Sequence, residues 1–231
     1  MDKKPIIVSK IGAEHSFQGR NRQDFGAIFQ NNAGYTVKFS LDGCSSGHFS
    51  EVGVLLFAQA IAKRTDITAM TFRDIVYQEF RRLTGGLGFT DAELFENFCF
   101  TILAVVETEK EFVVFSCGDG YVFTITNEHE LEVIDVDSGY DNFPPYFVYN
   151  LMNPENLSAY KEGVDFKVSF YSKEQYEDIG VGSDGYRFVE NLNNADRVAF
   201  DAAMLASKGG KIGQIINRNA QVFKDDITVV L

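Results

Sequence analysis

Apolar and polar positions alternate, or run β-branched, over residues 6–11, 24–29 and 35–41, a pattern that predicts three strands. The "NNAG" at 31–34 has turn chemistry, so these strands are expected to form an N-terminal antiparallel sheet. From Ser50 the period lengthens. In "SEVGVLLFAQAIAKR" Ser50 is placed to cap a helix, and Glu51 sits in the first turn, where the helix dipole favours an acid. A second helix is predicted over 71–83, with Phe72, Ile75, Val76 and Phe80 at helical spacing. Four strands follow at 98–107, 111–116, 121–126 and 131–134, and their short polar links predict an antiparallel meander. Residues 137–163 hold three of the four prolines and show no period; they read as a long loop or flap with short helical pieces. Phe143, Pro144, Pro145 and Tyr146 are its expected exposed apolar tip. Strands at 166–171 and 178–182, helices at 197–207 and 211–222, and a last strand at 227–231 complete the pattern.

This order is not the regular strand-helix alternation of a doubly wound parallel sheet. It predicts an α+β fold, an α-β-β-α sandwich of two mostly antiparallel sheets flanked by helices. Without an internal repeat, Pro-rich linker or composition shift, residues 1–231 are expected to form a single domain, with 137–163 as a flap or insert. Hydrophobic residues make up 45% of the chain, and 22 Phe and 10 Tyr supply enough apolar area for a core without staples.

Charge narrows the function. The net charge is -12 and the longest basic cluster is Arg81-Arg82, which argues against nucleic-acid and anionic-membrane partners. Cys44, Cys99 and Cys117 have no CxxC spacing, as expected of reduced thiols in the cytoplasm. "MDKKPIIVSK" lacks the apolar stretch of a secretory signal, and no run approaches 18 apolar residues. A cytoplasmic, monomeric protein is the expectation.

Four places share one local design. Asp42 in "SLDGCSS" and Asp184 in "VGSDGY" each follow a strand and precede Gly; Asp119 lies in "SCGDGY"; Asp225 and Asp226 precede the last strand in "FKDDITVVL". A Gly after a strand end lets the backbone turn sharply and exposes the carboxylate and the neighbouring carbonyl at the sheet rim. Taken singly, Asp-Gly is a common turn dipeptide. Taken together, converging carboxylates about 4 Å apart would repel by roughly 4 kcal/mol per pair at an effective dielectric near 20, which a bound cation or protonation must offset. Oxygen donors suit Mg2+ or Mn2+, whereas His15, His48, His129 and the cysteines lack zinc-ligand spacing. Two hard ions sharing a carboxylate would acidify a bridging water and clamp a phosphoryl oxygen, which predicts hydrolysis of a phosphate ester. "GGLG" at 85–88 follows a helix and lacks the Lys-Ser/Thr end of a phosphate loop.

The order "GAEHSFQGRNRQDFG", "SLDGCSSGHFSEVG", "SCGDGY", "VGSDGY", "KDDITVVL" resembles the metal-dependent protein phosphatases of the protein phosphatase 2C family, and most of all its compact bacterial branch. The resemblance implies a phosphoserine/phosphothreonine phosphatase acting on phosphorylated proteins through a water bridging two Mn2+ or Mg2+ ions. It makes Asp42 the bridging carboxylate, Gly43 a carbonyl ligand, and Asp184 and Asp225 the rest of the ligand set. Asp24 would act through metal-bound water, Asp226 stands where the family often has Asn, and Asp119 would help hold a third ion. Phe188 replaces the further acid that such a third site uses. Arg20 would bind phosphate, with Arg22 as its rival, since Arg20 lies one residue nearer the acids than the family pattern has it. Cys44 stands where some members carry a general-acid His, which leaves His15 and His48 as candidates for acid, base or orienting roles. Two alternatives stay open: a phosphatase-fold binding or regulatory module, and a phosphatase of small phosphorylated molecules.

Overall fold

The computed structural model describes residues 5–32, 34–136 and 144–231. Its strands are β1 (Ile7–Lys10), β2 (Phe25–Gln30), β3 (Thr36–Gly43), β4 (Phe100–Glu107), β5 (Glu111–Cys117), β6 (Gly120–Thr126), β7 (Leu131–Val136), β8 (Lys167–Ser172), β9 (Tyr176–Gly182) and β10 (Ile227–Val230). The helices are α1 (Ala13–Phe17), α2 (Ser50–Ala62), α3 (Phe72–Thr84), α4 (Asp91–Phe98), α5 (Asn194–Leu205) and α6 (Gly209–Arg218), with 3-10 turns at Phe147–Leu151, Pro154–Asn156 and Asp184–Asn191. Two five-stranded antiparallel sheets result, one ordered β1-β10-β9-β6-β7 and the other β2-β3-β4-β5-β8. The expected α+β sandwich is what forms.

Strand periodicity explains the layering. On β4, Ile102, Ala104 and Val106 join the apolar cluster under α2, α3 and α4, while Leu103 and Val105 face the other sheet. On β10, Val229 packs with α5 and α6 and Val230 turns to the inter-sheet layer. Each sheet is thus covered on both faces, so β4 reads as an unbroken apolar run even though its neighbours are antiparallel. Buried Lys38 on β3 crosses the inter-sheet layer to pair with Asp178 and donates to the Ile179 carbonyl at 2.9 Å.

Several expectations are corrected. Strand β1 pairs with β10, not with β2, because the chain leaves one sheet at Lys10 and enters the other at Phe25. The expected four-strand meander is two hairpins in different sheets, β4-β5 and β6-β7. The chain crosses between them at Gly118-Asp119, where Gly118 (φ 111°) and Gly120 (φ 132°) adopt backbone that other residues rarely accept. A Cβ on Gly118 would lie 2.5 Å from Thr101. The strand predicted from residue 98 begins at Phe100, because α4 precedes it with a Thr90/Glu93 capping box. Ser50 makes no helix cap; its hydroxyl accepts from Gln23 Nε2 at 2.6 Å and donates to the Cys44 carbonyl at 3.2 Å. In the predicted flap, residues 137–143, Phe143 included, lie outside the described residues. Beyond them Tyr146, Phe147, Val148 and Tyr149 are buried in the cluster under α2, α3 and α4, so Tyr146 is not an exposed tip. Among the described residues no helix is long and apolar enough to cross a membrane.

Candidate functional site

Strand register gathers the aspartates. Asp42 ends β3, Asp184 follows β9, Asp225 precedes β10, Asp119 lies in the crossing between β5 and β6, and Asp24 precedes β2; all five fall at one end of the sandwich. Two glycines allow the close approach. A Cβ on Gly43 would meet Ser50 Oγ at 2.7 Å, and one on Gly185 would lie 1.8 Å from the Asp226 carbonyl oxygen. Neither could be accommodated without moving backbone or a hydrogen-bonded hydroxyl.

Asp42, Gly43, Asp119, Asp184 and Asp225 line one cavity of about 230 Å3, with Tyr146 and Thr101 on its walls. Asp24 is buried behind it, and its Oδ2 has no hydrogen-bond partner. Burial pushes the Asp42 carboxyl well up, and the charges of Asp24, Asp184 and Asp225 add to the effect. Asp24 is pushed up to about 7 by burial and then by Asp226, against hydrogen bonding to Ser183 and Asp42. Asp184 rises to about 6, again chiefly through burial, with Arg187 opposing and Asp225 and Asp119 reinforcing. Burial also raises Asp119. These carboxylates repel one another in a space that disfavours charge, a cost that protonation or a bound cation would relieve, and such perturbed groups gathered in a cleft mark it as the candidate functional site.

The contrast with other buried acids is informative. Glu79 is clasped by Arg64 at 2.9 Å and Arg82 at 2.7 Å, Asp178 by Lys38, and Asp196 by Arg218. Asp24 and Asp42 have no ion-pair partner among the described residues. One basic group does enter the cavity, and sequence reasoning missed it. Arg187 places Nη1 2.9 Å from Asp184 Oδ2 and Nη2 3.6 Å from Asp225 Oδ2, with its guanidinium 5.0 Å from the Phe188 ring centroid. The available signal was its position three residues after Asp184, which a helical turn folds back onto the acid.

The remaining expected residues lie around the cavity. Arg20 donates to the Ser45 carbonyl at 2.6 Å, on the loop that forms the cavity rim. Arg22 turns away, donating to the carbonyls of Asp24 at 3.0 Å and Ser9 at 3.2 Å. His15 is buried, with Nδ1 3.0 Å from Asp226 Oδ1 and Nε2 3.9 Å from Asp225 Oδ1. Pairing with Asp226 raises the His15 pKa above its ordinary value, against burial. Asp226 runs the other way: burial would raise it, but His15 and the backbone N–H groups of Gly12 and Gln23 hold it low. His48 is exposed and pairs with Glu96 at 2.6 Å, outside the cavity lining. Cys44 is half-buried on the cavity wall.

The donors fit hard divalent cations: several carboxylates and, among the described residues, no imidazole in the cavity lining, with a buried carboxylate oxygen of neighbouring Asp24 left without a partner. A tighter group, His15 with Asp225 and Asp226, has ligand atoms within 4.8 Å of one another. Both Asp226 oxygens already accept backbone N–H groups there, so that residue acts as a clasp for the N-terminal segment.

Comparison with known proteins agrees with this geometry. The family model described as "Protein phosphatase 2C" matches residues 11–212. No curated protein sequence matches the chain. Among solved structures, the serine/threonine phosphatase Stp1 from Staphylococcus aureus superposes with a TM-score of 0.66 at 15% identity, covering 100% of this chain and 94% of that one. The S. agalactiae serine/threonine phosphatase gives 0.64 at 19% identity, covering 98% and 97%. The catalytic domain of the phosphatase PstP, solved in complex with two manganese ions, gives 0.61 at 14% identity, covering 98% and 96%. At such identities the likeness is one of fold.

Proposed function

The chain belongs to the protein phosphatase 2C family, and on that premise we propose that it hydrolyses phosphoserine and phosphothreonine monoesters on proteins, using two Mn2+ or Mg2+ ions held at the carboxylate end of the sandwich. The observation that carries this reading is the convergence of Asp42, Asp184, Asp225 and Asp119 on one cavity, three of them (Asp42, Asp184 and Asp119) with pKa values pushed up by burial and neighbouring acids. Asp42, the Gly43 carbonyl and the carboxylates of Asp184 and Asp225 would hold the ions, with Asp42 as their common ligand, and buried Asp24 would support Asp42. Asp119, in the lining of the same cavity, would serve a third ion, weakened by Phe188 where the family has an acid. Bound there, two divalent cations would supply a water of lowered pKa and charge neutralisation for the phosphate. The two manganese ions of PstP are consistent with two sites.

The chain's own residues have definable work. Asp226 and His15 fasten the backbone of Gly12 and Gln23, and so fix Asp24 and Asp225 relative to each other. Arg20, anchored on the rim loop, is positioned to neutralise phosphate oxygens. No covalent phosphoenzyme is required.

The test is phosphate release from a phosphothreonine peptide and from para-nitrophenyl phosphate, with Mn2+, Mg2+ or chelator, for wild type and Asp184→Ala. Turnover should require the metal and vanish in the variant, whose fold survives because the substitution relieves repulsion. Chelator-resistant turnover, or normal activity in Asp184→Ala, refutes the assignment. A titratable Mn2+ site without any turnover would favour the binding module, and the peptide-to-ester ratio separates protein from small-molecule substrates.

A further inference from the structure

A second cavity, of about 300 Å3, opens beside the carboxylate cavity, and Arg187 lines both. Its wall is partly aromatic: Tyr121 and Tyr186 lie with ring centroids 5.1 Å apart. Asp135, Glu190 and Asp201 contribute three carboxylates, and Arg197 a second guanidinium. Both arginines are engaged. Arg187 is drawn onto Asp184 and Asp225 on the far side, and Arg197 acts on Asp201, where burial raises the carboxyl pKa and the Arg197 charge opposes it. The excess charge on the wall is therefore negative, in a chain of net charge -12. Tyrosine faces attract cations through the ring quadrupole, and carboxylates at the same spot add direct pairing. An aromatic and acidic cavity of this size suits an ammonium or guanidinium on a flexible stem.

We propose that this cavity is a specificity subsite for a Lys or Arg side chain of the substrate, one or two residues from the phosphorylated residue. The proposal rests on the phosphatase reading and refines it. Arg187 lines both cavities, which makes them neighbours, and an extended peptide advances about 3.3 Å per residue, so a residue close to the phosphoresidue is the one to reach the second. The subsite is built on regular elements: Tyr121 comes from β6, Asp135 from β7, and Arg197 and Asp201 from α5, which hold its shape. None of these four belongs to the proposed ligand set.

The experiment compares phosphothreonine peptides that carry Lys, Ala or Glu at the flanking positions, with saturating Mn2+, for wild type, Glu190→Gln and Glu190→Lys. Wild type should favour the Lys peptide over the Ala peptide by about tenfold in kcat/KM, mainly through KM, because the contact is equally present in ground and transition states. The ratio should shrink in Glu190→Gln and reverse towards the Glu peptide in Glu190→Lys. Taking the ratio within each variant cancels any general loss of folded enzyme. Equal rates on all peptides, a preference for Glu in wild type, or a Lys preference untouched by both substitutions overturns the subsite. Para-nitrophenyl phosphate has no flanking residues. If wild type turns it over while the peptides are indistinguishable, the subsite alone fails; if no substrate is turned over with any metal, the phosphatase reading fails and the subsite with it.

Discussion

Arg187 holds a positive charge where the proposed cations would sit, and removing that charge should change metal binding. In Arg187→Met the stem remains and the guanidinium is lost. At the observed separations of 2.9 Å and 3.6 Å, Coulomb's law gives about 6 and 5 kcal/mol at a dielectric of 20, and roughly 1.4 and 1.2 kcal/mol in bulk water. The Arg187 side chain is 51% exposed, so the water-like end applies and the pair is worth about 2 kcal/mol or less. A divalent ion entering the site shares these carboxylates with the guanidinium and is repelled by it, so its affinity in wild type is lowered by a similar amount. Arg187→Met should therefore bind Mn2+ about tenfold to thirtyfold more tightly. Calorimetric titration of Mn2+ into metal-free protein reads this directly, without activity. Thermal melts supply the complementary arm: in chelator the variant should melt below wild type, since Asp184 and Asp225 lose the counter-charge that Arg187 supplies, and at saturating Mn2+ the two should converge. An unchanged dissociation constant would show that Arg187 is an onlooker. Weaker binding in the variant would show that it organises the carboxylates for the ion, and either result refutes the competition argument.

Two further predictions follow from other charges. Asp24 and Asp184 titrate in the folded protein at about 7 and about 6, above their unfolded values, and His15 is raised as well; these groups stabilise the metal-free fold fully below their unfolded pKa values and lose that contribution as pH rises through the folded ones. Asp226, held low, runs in the opposite direction: its contribution is present above its unfolded pKa and is lost only as pH falls into the acid range. The increase in melting temperature on adding saturating Mg2+ should therefore be larger at pH 8 than at pH 5, and an equal or smaller increase at pH 8 would contradict the carboxylate electrostatics. Away from the site, Asp178→Ala should cost about 3–5 kcal/mol by stranding Lys38 between the sheets, whereas Lys38→Met with Asp178→Leu should be close to neutral; denaturant melts of the three variants decide it.

What was legible in the chain depended on how local the cause is. Strand alternation and the Asp-Gly strand ends are local, so the sandwich class and the candidates Asp42, Asp184 and Asp225 could be read directly. Sheet membership is not local: β5 and β6 are separated by two residues yet belong to different sheets, because Gly118 and Gly120 permit a turn that the alternating pattern does not encode. The short helix α4 was overlooked although its Thr90/Glu93 capping box is a local signal, since its apolar positions merge with those of β4. His48 stands six residues past Asp42, but the intervening loop carries it to Glu96 and away from the cavity. Arg187 needed three-dimensional context as well, because an arginine after a strand-end acid is ordinarily a solvated surface residue.

Why the acids collect at one end follows from the layering. Over the inner strands, both faces of each sheet are covered by apolar side chains, towards the helices on one side and towards the partner sheet on the other. A charge placed on a face must bring its own partner, as Lys38 and Asp178 do. The ends of the sheets are the remaining places where backbone turns expose carbonyls and carboxylates together, and antiparallel pairing stacks the end of β3, the end of β9 and the start of β10 side by side. Elsewhere in the protein the buried acids Glu79, Asp178 and Asp196 each have a basic side chain against them. At this end, among the described residues, four acids line one cavity with the Arg187 guanidinium, and Asp24 lies buried nearby. A chain that pairs its buried acids at Glu79, Asp178 and Asp196 and leaves those at this end short of basic partners has left room for cations from solution, and that imbalance is the physical basis on which the phosphatase reading stands.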